Sequence, residues 1–331
     1  MWIRWERRGG GTKQRAVLWA AAMGLMVPYL TTLAWTGTIH GEEIRLEQSR
    51  TPSSGRRILL DRGKSGVYVD AEEYLPGVLA GQIPADFEME VLKAQAVIAR
   101  TYIYKQMEKN EDGIWQVPES ALDLDVLEMP QMKKMWGNEA FLEDYGRLEE
   151  AVQATSGQVL KWQEAYIDPM FCRASAGMTR QGDENHPYLH PVDCPGDLEA
   201  EGYLQLVNFS KGEFADRLSQ IPGGDGETVP AVEAGQLPDS IQIVEREEGG
   251  YVTSLQVGER IFTGEEVQYA LGLQSNAFSF VPFEDGIRAE TKGIGHGYGF
   301  SQTEANRMAE EGWTAEDLLL HFYKNVQLTA E

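Results

Sequence analysis

The sequence predicts an α+β fold, with a single-pass N-terminal membrane helix followed by one main mixed α/β domain that carries a smaller inserted subdomain. Three observations lead to this fold class. An uncharged apolar stretch lies near the N-terminus, helical apolar patterns occur at both ends of the remaining chain, and strand-like alternation lies between them. The 331 residues suffice for one large domain or two ordinary ones, and an apolar content of 42% suits a packed core.

The membrane helix is predicted at residues 16–36, where about 20 uncharged residues would suffice to cross a bilayer. A cleaved signal peptide is the alternative, but its apolar core is usually only about 7–15 residues long. Basic residues dominate the tail at 1–15, so we expect a cytoplasmic N-terminus, a tether at 37–57 and an extracytoplasmic domain at 58–328. The predicted localisation is therefore the cell membrane, with a single span.

Secondary structure within the domain follows from periodicity and turn residues. Residues 107–147 are polar and predict an irregular region with helical pieces. The regular elements predicted are a short bent helix from Ala71, a helix over 87–104 capped by Asp86, a helix, turn and strand over 148–162, a hairpin around Gly249-Gly250, and two closing helices after the segment "GIGHGYGFSQ". The formal net charge of −23 argues against a nucleic-acid partner, since a phosphate binder needs a basic face.

Three acidic residues open the predicted helix in "QIPADFEMEVLKAQ", namely Asp86, Glu88 and Glu90. An acid at a helix start is usually structural, because it complements the helix dipole by about 0.3–1 kcal/mol. The helix that follows is apolar over much of its circumference, which predicts burial. A buried helix would hold a carboxylate of its first turn in a fixed position.

Cysteine and histidine residues form a second pattern in "FCRASAGMTRQGDENHPYLHPVDCPGD". Cys172, His190 and Cys194 are candidate ligands of a structural zinc ion, which needs three or four ligands. A Cys172–Cys194 disulfide is the rival interpretation, and two free thiols are the third.

Several segments together resemble a known family. "LPGVLAGQIPADFEMEVLKAQAVIARTYIY", "AVQATSGQVLKW", "SAGMTR", "YLHPVDCPGD" and "GIGHGYGFSQTEANRMAEEGWTAEDLLLHFY" resemble, in this order, stage II sporulation protein D and the related amidase-enhancer domains. The resemblance runs from about residue 58 to residue 328.

The resemblance implies a lytic transglycosylase of peptidoglycan that acts in sporulation and engulfment. One glutamic acid would protonate the glycosidic oxygen between N-acetylmuramic acid and N-acetylglucosamine, and the 6-hydroxyl of the muramic acid would attack to give a 1,6-anhydro product. No cofactor is required for this reaction. The partners implied are glycan strands stripped of stem peptides and a sporulation amidase or endopeptidase.

Site residues are assigned on the segments that carry the resemblance. Glu90 is predicted to be the catalytic acid and base, with Glu88 in reserve, and the acid must begin protonated. The residues assigned to substrate binding are Lys93, Gln95, Arg100, Tyr102, the Ala174-Ser175 pair, His296, Tyr298, Ser301 and Gln302.

The chain departs from the family pattern at Gln82. Many members have glutamate in that position, as Glu-Met-Pro, whereas this chain has Gln-Ile-Pro. A glutamine cannot transfer the proton, so a chain whose family acid sat there would be inactive at that position. The sequence therefore leaves two further hypotheses open: a non-catalytic glycan-binding activator of a cell-wall amidase, and a structural part of a complex between two membranes.

Overall fold

The computed structural model describes residues 53–60, 66–223 and 231–331, and residues 51–331 cluster as one compact unit. The helices in the described ranges are α1 (Ala71–Gln82), α2 (Met89–Lys105), α3 (Met129–Ala154), α4 (Lys211–Ser219), α5 (Gly264–Leu271), α6 (Gln302–Glu310) and α7 (Ala315–Phe322). The strands are β1 (Arg57–Leu60), β2 (Val67–Asp70), β3 (Glu108–Lys109), β4 (Trp115–Pro118), β5 (Gln158–Trp162), β6 (Ala165–Tyr166), β7 (Phe171–Cys172), β8 (Leu204–Ser210), β9 (Ile241–Arg246), β10 (Val252–Val257), β11 (Arg260–Thr263), β12 (Phe278–Phe283), β13 (Gly286–Lys292), β14 (Phe300–Ser301) and β15 (Gln327–Ala330).

Helix α1 begins where the side chain of Asp70 accepts a hydrogen bond from the amide of Glu72 at 2.9 Å. It continues for 12 residues through Pro76 and ends at Gln82, because Ile83 is extended and Pro84 follows. The side chain of Gln82 thus lies at the carboxyl end of this helix.

Helix α2 begins at Met89, two residues later than predicted, and Asp86 is not its cap. Glu88 occupies the cap position and makes no side-chain capping bond, while Pro84 and Phe87 form a turn ahead of it through a backbone hydrogen bond of 3.3 Å. The middle of α2 is buried all round, as the apolar pattern predicts, and it packs against α1, α3, β5 and α7.

Five small sheets accompany the helices in the described ranges. Their strand orders are β2-β1-β4-β3, β11-β10-β9, β12-β13-β8, β14-β7 and β15-β5-β6. The shortest sheet matters most for the site, because it pairs Phe300 with Phe171 and Ser301 with Cys172 in parallel register. This pairing brings the glycine-rich segment before β14 beside the residues around β7.

A second region of the core lies between α4, α5 and the strands β8 to β13. Its buried side chains include Phe209, Phe214, Leu255, Phe262 and Phe278. Hairpin β9–β10 turns at Gly249 and Gly250, as the sequence predicts. This packing fixes the hairpin, which carries Glu247 and Tyr251 toward the glycine-rich segment.

The predicted fold class is corrected on two points. The described chain is a mixed helix and strand structure with several small sheets, and residues 51–331 cluster as one compact unit that includes the second core region. Part of the polar region predicted as irregular is a 26-residue helix, α3, interrupted at Gly137 with a φ of 80°. Its N-terminal capping box between Glu128 and Gln131 stabilises a helix that has no strong apolar stripe.

The second correction concerns the membrane. Among the residues that the structure describes, no helix is long and apolar enough to cross a bilayer. The predicted single-pass architecture, and the membrane localisation derived from it, find no support among these residues. The predicted tail at 1–15 and span at 16–36, with most of the tether at 37–57, lie outside the described residues.

Candidate functional site

A cavity of about 510 Å³ lies where the ends of several elements meet. Its lining includes Gln82 from the end of α1, Tyr102 from α2, Asp168 and Phe171 around β7, and His296 from the glycine-rich segment. These residues are far apart in sequence, and the β7–β14 pairing and the α1–α2 packing bring them together. The cavity combines polar groups with aromatic surface, which is typical of small-ligand sites.

Three glutamine side chains form a network behind the cavity wall. Gln95 Nε2 donates to Gln82 Oε1 at 2.9 Å, and Gln302 Nε2 donates to the backbone oxygen of Gln82 at 3.0 Å and to Gln95 Oε1 at 3.2 Å. Gln95 and Gln302 are 0% and 1% exposed, so these bonds satisfy polar groups that water does not reach. The network fixes the amide of Gln82 relative to α2 and α6.

His296 lies in a backbone that only glycine neighbours allow. Gly295 and Gly297 have φ values of 105° and 78°, and a Cβ atom at Gly297 would lie 2.2 Å from Tyr251 Oη. His296 Nδ1 accepts a hydrogen bond from the amide of Tyr298 at 3.0 Å, so the neutral ring carries its proton on Nε2.

His296 is an exposed residue that lines the cavity, and neighbouring protein replaces part of the water around its ring. Desolvation first, and the charge of Arg180 second, lower the pKa of His296 to about 4. The imidazole is therefore neutral at neutral pH and presents an uncharged N–H donor.

Arg180 holds the glycine-rich segment in place. Its guanidinium lies 4.2 Å from the ring centre of Tyr298, and its backbone amide donates to the oxygen of Gly297 at 2.9 Å. Glu247 and Glu265 accept hydrogen bonds from the same guanidinium at 2.6 and 2.8 Å. Tyr298 thus packs beneath Arg180 and does not line the cavity described here.

Two carboxylates that no sequence motif distinguishes, Asp123 and Asp168, also line the cavity. Asp168 Oδ2 lies 2.5 Å from Lys105 Nζ, and Asp123 is exposed with a left-handed φ of 47°. Tyr102 lies between cavity and core, and its hydroxyl donates to the oxygen of Leu122 at 2.7 Å. Burial, with the charges of Asp123 and Asp168, raises the pKa of Tyr102.

The predicted acid, Glu90, lies away from this cavity lining. Its Oε1 accepts from Lys93 Nζ at 2.6 Å, and its Oε2 accepts from the amide of Ala315, the first residue of α7, at 2.9 Å. Partial burial raises the pKa of Glu90, but the hydrogen bonds from Lys93 and Ala315 and the charge of Lys93 outweigh it, so the pKa is lowered. Glu88, the reserve acid, is exposed, and its amide donates to Asn306 Oδ1 at 2.7 Å.

Several residues assigned to substrate binding are bonded inside the protein. Arg100 is fully buried and donates to both carboxylate oxygens of Glu72, at 2.6 and 2.7 Å. Ser175 and Ser301 are also fully buried, and both bind the carboxylate of Asp197 through a backbone amide and a hydroxyl respectively. Burial raises the pKa of Asp197 to about 6, although the bonds from these serines act in the opposite direction.

The two cysteines are buried free thiols, and Cys194 Sγ donates to the oxygen of Val192 at 3.3 Å. Burial raises the pKa of both thiols, which disfavours the thiolate that binds zinc. His190 Nδ1 is buried without a hydrogen-bond partner in the described structure, which would suit a ligand. However, no three histidine, cysteine or acidic side chains in the described ranges are arranged to hold a metal ion, and the zinc site stays a prediction.

The comparisons with known proteins agree with one another. The family model described as stage II sporulation protein (SpoIID) matches residues 64–162. A stage II sporulation protein D of Bacillus amyloliquefaciens is 32% identical over 270 residues, which cover 79% of this chain and 74% of the relative. The stage II sporulation protein D of Bacillus subtilis strain 168 is 30% identical over 271 residues, covering 79% and 75%. An uncharacterized protein of Brachyspira hyodysenteriae is 25% identical over 268 residues, covering 78% and 67%.

Proposed function

Since this chain belongs to the stage II sporulation protein D family, we propose that it binds peptidoglycan glycan strands in the cavity beside Gln82 and His296. In this proposal it serves sporulation as a glycan-binding activator of a partner cell-wall amidase. It does not cleave the glycan itself.

One observation carries this proposal, namely that an amide occupies the cavity wall at Gln82. A lytic transglycosylase needs a carboxylic acid that gives its proton to the glycosidic oxygen and then accepts one from the attacking hydroxyl. The amide of Gln82 can do neither, and the hydrogen bond that its Oε1 accepts from Gln95 orients it, while Gln302 holds the backbone oxygen of the same residue. The other carboxylates of the lining are an exposed Asp123 and an Asp168 engaged by Lys105.

The remaining groups suit an uncharged sugar. An amide accepts and donates hydrogen bonds, and the neutral ring of His296 donates one through Nε2, as sugar hydroxyl and acetamido groups require. Phe171 and Tyr102 add aromatic surface on which the apolar face of a sugar ring can pack. Binding therefore needs no charge on the sugar that occupies the cavity.

The second candidate is the lytic transglycosylase with Glu90 as acid and base. It is favoured by one observation: the side chain of Glu90 is 34% exposed, and its two oxygens accept hydrogen bonds from Lys93 and from the amide of Ala315. The lowered pKa works against it, because a general acid must be protonated before the reaction. Glycan binding would have to separate Glu90 from Lys93 before the proton could be taken up.

A combined binding and product assay tests the proposal. The full-length chain is incubated with amidase-treated glycan strands, bound strands are quantified, and products are analysed by mass spectrometry for 1,6-anhydro ends. We expect binding that falls about tenfold in His296→Ala, an unchanged affinity in the exposed control Gln242→Ala, and no anhydro products. Anhydro products from the wild type that disappear in Glu90→Gln would instead establish the second candidate.

Activation is measured separately. The initial rate at which a sporulation amidase releases stem peptides from cell-wall sacculi is compared with and without the chain. We expect a higher rate with the wild type than with His296→Ala, since activation depends on glycan binding at the cavity. Equal rates with the wild type and without the chain would contradict the activator role.

A further inference from the structure

Arg173 has a guanidinium group without a hydrogen-bond or ion-pair partner among the residues that the structure describes. The side chain is half-buried, and a guanidinium offers five N–H donors in a fixed planar fork. The nitrogens of this half-buried fork are not among the buried polar atoms that lack a partner, so they reach solvent and can bind an incoming anion.

Other cations in the segments that carry the family resemblance are already engaged. Lys93 binds Glu90, Arg100 binds Glu72, and Arg180 binds Glu247 and Glu265. These cations serve the protein itself. Arg173 differs from them because its charge is not neutralised by a contacting carboxylate of the described chain.

The surroundings of Arg173 hold it in place. Its guanidinium lies 5.4 Å from the ring centre of Phe87, and stacking on an aromatic face leaves the edge of the fork free. The backbone oxygen of Arg173 accepts from the amide and the hydroxyl of Thr303, at 3.0 and 2.8 Å. The backbone oxygen of Phe87 accepts from Arg147 at 2.6 Å, so both partners of the stack are anchored.

Arg173 and Phe87 lie close in the sequence to residues that line the cavity. Arg173 directly follows β7, whose Phe171 lines the cavity, and Phe87 lies five residues after Gln82, which also lines it. The exposed Asp86 is the nearest opposing charge: burial lowers the pKa of Arg173 and the charge of Asp86 raises it. Asp86 attracts the guanidinium without forming an ion pair with it.

We infer that Arg173 and Phe87 form a carboxylate-binding subsite beside the cavity, which takes the lactyl carboxylate of a muramic acid whose stem peptide has been removed. This inference rests on the proposed function, because it names one contact of the same glycan. A guanidinium fork binds a carboxylate through two parallel hydrogen bonds, whereas an attached stem peptide converts that carboxylate into a neutral amide. Arg173 would thus distinguish stripped strands from strands that still carry peptides.

Binding is measured with the full-length chain and two soluble glycans. One is a stripped glycan fragment with free lactyl carboxylates, and the other is an N-acetylglucosamine oligosaccharide of equal length, which has no lactyl group. We expect Arg173→Gln to weaken binding of the first glycan about tenfold and to leave the second unchanged. The second glycan therefore also reports that the variant is folded.

Three further variants sharpen the test. Arg173→Lys keeps the charge but loses the fork, so its loss should be smaller than that of Arg173→Gln. Asp86→Asn removes the competing charge and should strengthen binding of the stripped glycan about twofold. Arg57→Gln is the matched control, because Arg57 is an exposed cation 5.9 Å from the ring centre of Tyr68, and it should change neither affinity.

Two outcomes would overturn the inference in distinguishable ways. Equal loss of both glycans in Arg173→Gln, or no loss of either, would remove the carboxylate subsite and leave the proposed function standing. Failure of the wild type to bind either glycan would overturn both.

Discussion

The side-chain oxygen of Gln82 accepts a hydrogen bond from the side-chain amide of Gln95 at 2.9 Å. This bond fixes an uncharged group in the wall of a cavity that also contains the neutral imidazole of His296. The cavity can therefore hold a ligand by hydrogen bonds from uncharged groups. At position 82 it presents an amide in place of a carboxylic acid.

The first prediction concerns the glutamine network. Gln95→Leu keeps the side-chain volume roughly constant but removes both hydrogen bonds of a fully buried amide. Loss of partners for buried polar groups should lower the free energy of unfolding by about 1–3 kcal/mol. Urea denaturation measures the loss, with the exposed Gln242→Leu as control; equal stability of the two variants would contradict the network's structural role.

The second prediction concerns Arg100, which the sequence analysis assigned to substrate binding. Arg100→Leu leaves the carboxylate of Glu72 buried without its guanidinium and should cost about 3–5 kcal/mol of stability. The double variant Glu72→Leu/Arg100→Leu removes the stranded charge, so it should be more stable than the single variant. Denaturant unfolding compares the stabilities of the two variants. A double variant less stable than Arg100→Leu would show that the unpaired charge of Glu72 is not the main cause of the lost stability.

The third prediction concerns the protonation of His296. An NMR titration should give a midpoint near pH 4 for this ring, because the surrounding protein and Arg180 lower its pKa. The unfolded chain binds this proton first, near its ordinary pKa of about 6.5. His296 therefore reduces stability as the pH falls from about 6.5 to about 4, and stability rises with pH in that window.

The resonance is assigned by comparison with His296→Gln. The contribution of His296 to the pH dependence is read from the difference between the two unfolding profiles, since other groups titrate in the same range. A midpoint close to 6.5 in the wild type would mean that neither desolvation nor the charge of Arg180 lowers the pKa of the ring.

Local elements of the fold could be predicted where apolar periodicity and turn residues agree. Examples are the buried helix α2, the strand β5 after Gly157, the hairpin at Gly249-Gly250 and the two closing helices. Helix α3 escaped prediction because its sequence is polar and is interrupted at Gly137. The anchor prediction rested on residues 16–36 alone, and the arrangement of several small sheets depends on long-range pairings that a local pattern does not contain.

The candidate site shows the same limit. Gln82 was singled out as a departure from the family pattern and His296, Gln95 and Gln302 were assigned to substrate binding, and the structure brings these four together. The sequence pattern does not distinguish exposed polar side chains from buried ones. Arg100 and Ser301 were therefore assigned to ligand binding, although both are buried and bond within the core. Asp168 was missed because an isolated acid before Pro169 has no distinguishing spacing.

The most direct test of the account is the product analysis of Gln82→Glu beside the wild type and Glu90→Gln. The substitution places a carboxylic acid in the cavity wall, where burial favours the protonated form that a general acid needs. We predict no 1,6-anhydro products from the wild type and measurable products from Gln82→Glu, with Glu90→Gln retaining full glycan binding. Anhydro products from the wild type that Glu90→Gln abolishes, with none gained in Gln82→Glu, would contradict the account.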